Sequence, residues 1–298
     1  GNLIFTDDAS GLSLGIEICE DLWLPITPGA QLALNGAHII LNPSASDETV
    51  GKSDYRRSLV AVQSAKSICG YVYASSGVSE STTDLVFSGH HIIAEGGTVL
   101  AENERFERQS VITYTEIDYG KLKFDRSQGH NMAECNIAFS DRYMYTPVAL
   151  SEMRTIASES DTLIRSYAKN PFIPSDTSET DRKCREIFKI QTAGYAKRVE
   201  HTHAAKSVVG ISGGLDSTLA LLVAAETHKM LGKPASDIIA ITMPGFGTTG
   251  KTYNNALTIM NLLGTEIREI SIVDAVRQHF SDIGQSEANH DLTYENAQ

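Results

Sequence analysis

The stretch Val208-Val209-Gly210-Ile211-Ser212-Gly213-Gly214-Leu215-Asp216-Ser217-Thr218 sets an apolar run, a turn of small residues and a helix-forming run end to end. Residues of these types suit a phosphate cradle. Glycines leave backbone N–H groups unobstructed, and a helix starting near Ser217 aims its positive end at the same point. Ser212 and Ser217 add hydroxyl donors. Asp216, a carboxylate beside an anion site, makes chemical sense with a divalent cation between them, so it is the candidate ligand for Mg²⁺. The plainer alternative is a strand-turn-helix junction with Asp216 as N-cap. A second chemistry sits in Gly15-Ile16-Glu17-Ile18-Cys19-Glu20-Asp21-Leu22-Trp23, where a cysteine ends an apolar run before an acidic turn and the chain's one tryptophan. A thiolate freed from a sheet at such a turn can attack an amide carbonyl, with the N–H of Glu20 steadying the oxyanion. By itself, a cysteine there reads more readily as a buried core residue.

A third segment, Gly245 to Thr252 (GFGTTGKT), satisfies the G-x-x-x-x-G-K-[ST] phosphate-loop spelling, and Ile270 to Asp274 can be spelled as a companion Mg²⁺-binding strand ending in Asp274. Against it, Pro244 and Phe246 stiffen and crowd the loop entrance, and Asp274 fits equally as a helix cap.

The elements that would position these groups fall into two sets. Up to about Ile117, short apolar runs at Leu12–Ile18, His38–Leu41, Tyr71–Ser75 and His91–Ala94 read as strands, with helical pattern at Thr27–Asn35 and Tyr55–Cys69. That mixture predicts an α/β layer structure built on a strand-rich sandwich. Tyr119 to Pro147 is polar and reads as irregular, and Pro171-Phe172-Ile173-Pro174 with Ser175 to Thr180 reads as a linker. A second domain follows, with helices at Asp181–Glu200, Ser217–Leu231, Thr252–Leu263 and Val273–Ile283 alternating with strands at Ser207–Ile211, Asp237–Met243 and Glu266–Ile270. Such alternation predicts a parallel, doubly wound sheet with ligands at the strands' carboxyl ends. The expected domains are therefore 1–150, a linker over 151–179, and 180–298.

With 298 residues and 41% apolar content, the chain can bury one large core or two medium ones. Its formal net charge of −12 argues against a nucleic-acid surface. Apolar stretches such as Ile238–Met243 are strand-length rather than membrane-length and no signal segment opens the chain, so the expectation is a cytoplasmic protein with no membrane partner. Cys19, Cys69, Cys135 and Cys184 stand far apart without C-x-x-C, and His90-His91 and His201/His203 lack a trusted ligand spacing, so neither zinc nor a disulfide framework is expected. A start at Gly1 inside a strand pattern and an end at Gln298 inside a polar run suggest an internal fragment.

The residues Ser212 to Ser217 match the loop of the N-type ATP pyrophosphatases, the family of NAD synthetase, GMP synthetase, asparagine synthetase and several tRNA-thiolating enzymes. The resemblance implies cleavage of ATP between the α and β phosphates, with a poorly reactive oxygen adenylated so that AMP can leave. The acidic charge disfavours the tRNA-modifying members. The segment Gly15–Trp23 resembles the nucleophile strand of the nitrilase superfamily, Asn42-Pro43-Ser44-Ala45-Ser46 its substrate loop, and Gly77 to Phe87 the glutaminase domain of glutamine-dependent NAD synthetases. A nitrilase-like half followed by this pyrophosphatase loop is similar to those enzymes, whereas GMP and asparagine synthetases use glutaminases of other kinds.

That resemblance implies a partial nitrilase-like α-β-β-α sandwich followed by a partial Rossmann-like domain. It implies amidation of deamido-NAD⁺ with MgATP and with ammonia released from glutamine at Cys19. It assigns Glu20 and Ser46 to glutamine, and Ser212, Gly213, Gly214, Leu215, Asp216, Ser217 and Met243 to ATP. Met243-Pro244-Gly245-Phe246-Gly247-Thr248-Thr249 then resembles the loop that meets adenine, with Lys251 an incidental basic residue. Thr293, Glu295 and Asn296, in a tail that resembles a substrate-binding segment, are implied contacts to the nicotinate dinucleotide or ATP, the alternative being a solvated turn. The partners implied are small molecules and, in the parent enzyme, further copies in a homo-oligomer.

Nitrilase-type amidases use a Glu-Lys-Cys triad whose Glu and Lys precede the cysteine. Only eighteen residues precede Cys19, none of them lysine, and Lys52 and Lys66 come after it. The chain by itself is therefore expected not to hydrolyse glutamine. Three other readings stay open: a nitrilase-type amidase with a regulatory nucleotide domain, a P-loop kinase or NTPase using Gly245–Thr252, and an assembly piece that binds no nucleotide.

Overall fold

Alternation of inward and outward side chains builds the first sheet. In the computed structural model, which describes residues 3–139, 146–150, 163–167, 169–170, 173 and 176–297, the chain divides into two compact units, Gly1–Ala168 and Lys169–Gln298.

The first unit holds β1 (Leu3–Asp7), β2 (Ser13–Ile16), β3 (Ile39–Ser44), β4 (Gly70–Ser75), β5 (His91–Glu95), β6 (Thr98–Glu102) and β7 (Thr146–Leu150). They form one seven-stranded sheet in the order β6-β5-β4-β3-β2-β1-β7. Its centre, β2-β3-β4, is parallel, and β5 and β6 extend it antiparallel. The register sets Ile40 opposite Tyr71 and Asn42 opposite Tyr73, so these four share a face. α1 (Pro28–Leu34) and α2 (Lys52–Lys66) cover that face: Leu32, Ala33 and Val60 join Ile40, Tyr71, Tyr73, Ile92 and Ala94 in one core. Arg56, Val60, Gln63 and Ser64 are the buried positions of α2, the 3.6-residue stripe of a helix with one face inward. Between β5 and β6, Gly96 and Gly97 both take positive φ, as a tight hairpin turn demands.

The second unit begins with α5 (Thr177–Thr202) and continues β8 (Ser207–Gly210), α6 (Leu215–Met230), β9 (Ile238–Thr242), α7 (Gly250–Leu262), β10 (Glu266–Glu269), α8 (Val273–Ile283) and α9 (Leu292–Ala297). Its three strands are parallel in the order β10-β9-β8. They form one wing of a doubly wound sheet, with Leu221 and Ala224 of α6 and Ala256 and Met260 of α7 closing the core over Ile238 and Ala240. The α/β class expected for both parts holds.

Three expectations need correction. The segment Tyr119–Pro147, read as irregular, contains α3 (Tyr119–Gln128) and α4 (His130–Phe139). On α3 only Leu122 is buried among the described residues, so the apolar period is faint. The helix is started instead by Asp118, whose side chain accepts from the N–H of Lys121 at 2.8 Å. α5 starts at Thr177 rather than Asp181 because Asp176 caps the N–H of Ser178. α6 starts at Leu215 rather than Ser217, because Gly214 in extended backbone serves as its N-cap, which places Asp216 within the first turn and not at the cap. Of the linker expected over 151–179, residues 151–162, 168, 171–172 and 174–175 lie outside the described residues.

Arg126 ties α3 to the end of α2. Its Nε donates to the carbonyl of Ile68 at 2.8 Å and its Nη2 to those of Ala37 at 2.7 Å and Ser67 at 3.3 Å. Ile68 has a φ of 45°, rare for a β-branched residue, so the turn after α2 depends on such bonds. Burial, with Arg126 and Lys123 nearby, holds the His38 imidazole down at about 4. Its Nδ1 accepts from the N–H of Ser13 at 3.2 Å, as a neutral ring can. In the folded state His38 stays neutral down to about pH 4, whereas an unfolded histidine takes its proton near pH 6.5. The His38 contribution to stability therefore falls as pH drops between those values. Arg126→Ala is expected to destabilise by about 2 kcal/mol in urea unfolding followed at Trp23, and to raise the His38 pKa in an NMR titration.

Candidate functional site

The thiol lies just past the end of a parallel strand. β2 stops at Ile16, and Cys19 opens a 3-10 turn, Cys19–Trp23, with φ of 50°. This left-handed region costs a non-glycine residue about 1 kcal/mol, so something must hold it. Asn42 Oδ1 accepts from the Cys19 N–H at 3.1 Å, and Asn42 Nδ2 donates to the Cys19 carbonyl at 3.4 Å. Asp21 folds back to accept from the N–H of Ile18 at 2.8 Å.

A cavity of about 510 Å³ opens there, lined by Cys19, Glu20, Trp23, Ser46, Asp47 and Lys52. The structure thus brings Cys19, Glu20 and Ser46 to one space. Ser46 is 6% exposed. Its N–H donates to Ser75 Oγ at 3.2 Å and its Oγ accepts from Arg56 Nη2 at 3.3 Å. Arg56 is fully buried, and its Nη1 donates to Glu48 Oε1 at 2.6 Å and to His90 Nδ1 at 2.8 Å. Because a guanidinium can only donate, His90 Nδ1 must be bare, and its proton sits on Nε2, toward Glu102 at 2.8 Å. Burial keeps His90 below the usual histidine value in spite of Glu102. Burial pushes Glu48 up, but Ser88 and Arg56 outweigh it and hold its carboxyl low.

Lys52, set aside in the sequence because it follows the cysteine, is a residue of this cavity, paired with Asp47 at 2.7 Å. The sequence held a sign of it. Lys52 is the first residue of α2, where the helix dipole disfavours a cation. Lys66 is exposed in the last turn of the same helix, away from the cavity.

In the second unit, the adjacent parallel strands β8 and β9 each end in a loop, and the two loops face a cavity of about 440 Å³. Ser212 and Gly214 come from the first, Met243, Thr248 and Thr252 from the second and the helix it opens. Ser212 Oγ and Ser217 Oγ are 3.1 Å apart, and Gly214 N–H donates to Ser212 Oγ at 3.2 Å, so hydroxyls brace the turn. Gly213 has φ of 80°, and a Cβ there would lie 1.9 Å from the backbone oxygen of Thr252, so only glycine lets the loops meet.

Not every expected residue faces this cavity. Asp216 lines a neighbouring one with Gln191, Tyr195 and Leu219. Leu215 is 89% exposed, and with Lys251 it lines the other flank of the loop. Lys251 is thus turned from the space that Ser212 and Thr248 share, which is not where a phosphate-loop lysine belongs. Asp274 is not at a strand end. It sits in the first turn of α8 behind the cap residue Ile272, 99% exposed, 3.6 Å from Arg277. Thr293 and Asn296 are exposed on α9 and line neither cavity, and the side chain of Glu295 lies outside the described residues. Among the described residues no group of three or more His, Cys, Asp or Glu could hold a metal ion.

Residues 2–126 match the carbon-nitrogen hydrolase family and residues 188–298 the NAD synthase family. Each match lies within one of the two compact units. It is 36% identical over 296 residues to a glutamine-dependent NAD(+) synthetase of Mycobacterium leprae, covering 98% of this chain and 43% of that protein. A glutamine-dependent NAD(+) synthetase of Thermotoga maritima is 27% identical over 294 residues, covering 96% of this chain and 46% of the relative. The structure of a glutamine-dependent NAD+ synthetase from Acinetobacter baumannii in complex with ADP covers 99% of this chain and 46% of that one at 19% identity, with a TM-score of 0.36. The chain spans less than half the length of these relatives. The nitrilase-like and NAD-synthetase resemblance read from Cys19 and from Ser212–Ser217 therefore holds.

Gly213→Ala is expected to cost about 3 kcal/mol in chemical denaturation, from overpacking against Thr252 and a disfavoured backbone. Gly214→Ala, whose Cβ would meet only Ser212 Oγ at 3.3 Å, is expected to cost less.

Proposed function

We propose that this chain is part of a glutamine-dependent NAD synthetase, and that its two cavities serve two half-reactions. The observation that carries this reading is the pair of sites in one chain: a strained cysteine over a polar cavity, and a glycine loop beside a second strand-end loop. Relatives named for that activity, aligned over nearly the whole chain, support it.

In the first unit, Cys19 Sγ would attack the side-chain amide of glutamine, and the tetrahedral oxyanion would face the N–H of Glu20. Ammonia leaves, and water frees glutamate from the thioester. Glu20 and Ser46 are assigned to the glutamine, and the Lys52 ammonium on the same wall suits its α-carboxylate. The general base Glu and the Lys of the triad would come from outside this sequence.

In the second unit, Ser212, Gly214, Ser217 and the start of α6 would hold the pyrophosphate of ATP, and Met243 its adenine, with Gly213 keeping the loops together and Leu215 on the outer flank. The nicotinate carboxylate of deamido-NAD⁺ attacks the α-phosphorus, pyrophosphate departs, and neutral ammonia then displaces AMP from the acyl-adenylate. Activation is needed because a carboxylate is a poor electrophile. Asp216, in the first turn of α6, lines the cavity beside the loop's own; it is the residue of that segment that would hold Mg²⁺, which when bound would neutralise phosphate charge. Its oxygen donor suits that hard cation. Thr293, Glu295 and Asn296 are assigned to the dinucleotide.

The P-loop alternative loses ground because Lys251 and Asp274 stand apart from the loop cavity. We keep 1–150 and 180–298 as the two catalytic parts joined by 151–179. Family matches that end at 126 and resume at 188 support that division. No described helix is long and apolar enough to cross a membrane. A cytoplasmic homo-oligomer acting on small molecules is our working assignment.

The test is product analysis on the full-length enzyme containing this chain, given MgATP, deamido-NAD⁺ and either glutamine or ammonium. Wild type is expected to yield NAD⁺, AMP and pyrophosphate from both nitrogen sources, and Cys19→Ala from ammonium only. ADP as product, or no NAD⁺ from either source, would overturn the proposal. Asp216→Asn is expected to raise the Mg²⁺ concentration needed for half-maximal ammonium-driven turnover.

A further inference from the structure

Behind Cys19, on the core side of the sheet, a chain of hydrogen bonds runs through three buried polar residues that none of the half-reactions above uses. Asn42 on β3, Tyr71 on β4 and Glu17 just past β2 are each 0–1% exposed. Gly29 N–H donates to Glu17 Oε2 at 2.6 Å, Tyr71 O–H donates to Glu17 Oε1, and Asn42 Nδ2 donates to the Tyr71 oxygen at 3.0 Å. Asn42 Oδ1 then faces the Cys19 N–H and also accepts from Ser44 Oγ at 2.7 Å.

This order admits one orientation of the Asn42 amide. Glu17 takes the tyrosine proton, so Tyr71 can offer Asn42 only an acceptor, and the amide must turn its NH₂ that way. Its oxygen is thereby left for Cys19, whose backbone N–H could not face a second donor. Glu17 also sits against the backbone at Gly29, where a Cβ would lie 2.6 Å from Oε2, so the absence of a side chain at position 29 leaves the space the carboxylate occupies. Three polar groups buried among Ile40, Tyr73 and Leu32 carry a desolvation cost that aliphatic residues would avoid. The backbone they grip is the one non-glycine residue near the cavity with a left-handed φ among the described residues.

We infer that Glu17, Tyr71 and Asn42 form a positioning relay that holds Cys19 in its left-handed conformation, so that the thiol is presented to the cavity at the geometry attack requires. The inference rests on the functional reading for its catalytic consequence, but the conformation of Cys19 can be probed without it. The relay touches the backbone of Cys19 and no wall residue assigned to glutamine. It should therefore govern the rate of attack and not substrate affinity.

The experiment uses the full-length enzyme with Tyr71→Phe, which removes one hydroxyl, and Asn42→Leu, which removes both bonds to Cys19 in a similar volume. Four quantities are read: the alkylation rate of Cys19 by iodoacetamide, kcat and KM for glutamine-driven NAD⁺ formation, and turnover with ammonium. Both variants are expected to slow alkylation and lower glutamine-driven kcat, Asn42→Leu by about a hundredfold and Tyr71→Phe by less. KM for glutamine is expected to stay near wild type, and ammonium turnover, which depends on the other unit, to stay unchanged as the control for folding. Alkylation at the wild-type rate in both variants would overturn the relay, as would a rise in KM with kcat intact. If instead wild type makes no NAD⁺ from glutamine, the functional reading fails by itself and the alkylation rates still decide the relay.

Discussion

A backbone that leaves a parallel strand loses its ladder partners, and its freed N–H and C=O groups must find others or face a ligand. Both sites of this chain are built on that requirement. After β2, the N–H and carbonyl of Cys19 are taken by one side chain, Asn42 on the neighbouring strand. After β8, the Ser212 and Ser217 hydroxyls brace the turn, while the start of α6 is capped by no side chain. One solution spends polar side chains to fix a cysteine. The other leaves the helix start without a side-chain cap.

The two solutions differ in cost. Fixing Cys19 requires burying Asn42, Tyr71 and Glu17 under α1 and α2; burial pushes the Glu17 carboxyl up in spite of the bonds it accepts, and pushes the Tyr71 hydroxyl up together with the Glu17 charge beside it. The loop after β8 requires almost no buried polarity. Its constraint is steric, a glycine at 213 so that the β8 loop can lie against Thr252 of α7. A chemical step asks for a single geometry of one atom, whereas a polyanion can be held by several backbone donors at once.

The buried Arg56 shows the same logic one layer out. It reaches Ser46 on the cavity wall while Glu48 balances its charge and a neutral His90 accepts from it. Removing Glu48 would strand a buried cation, which is why the pair and not either residue is the unit.

Much of this was legible beforehand. The strand-turn-helix order around Ser212–Ser217 and the strand-turn order around Cys19 follow from local residue types: β-branched runs, small turn residues, helix formers. Glu17 was legible in part, since Ser13, Gly15 and Glu17 share the inward parity of β2, and a charge at the inward position of an apolar run needs a reason. α3 was missed because Asp118 and Arg126 hold it, and neither contributes to an apolar period. Lys52 and Thr252 could not be assigned to their cavities by spacing, since each reaches its site from the start of a helix, α2 or α7, that follows a different strand than the motif it joins. The sequence by itself determined which segments could bear a nucleophile or a phosphate, because those properties reside in short runs of residue types. Only the tertiary structure decided that Ser212 and Met243 face one space while Asp216 and Lys251 do not, and that Asn42 reaches Cys19, because the direction of a side chain is set by register and packing across elements.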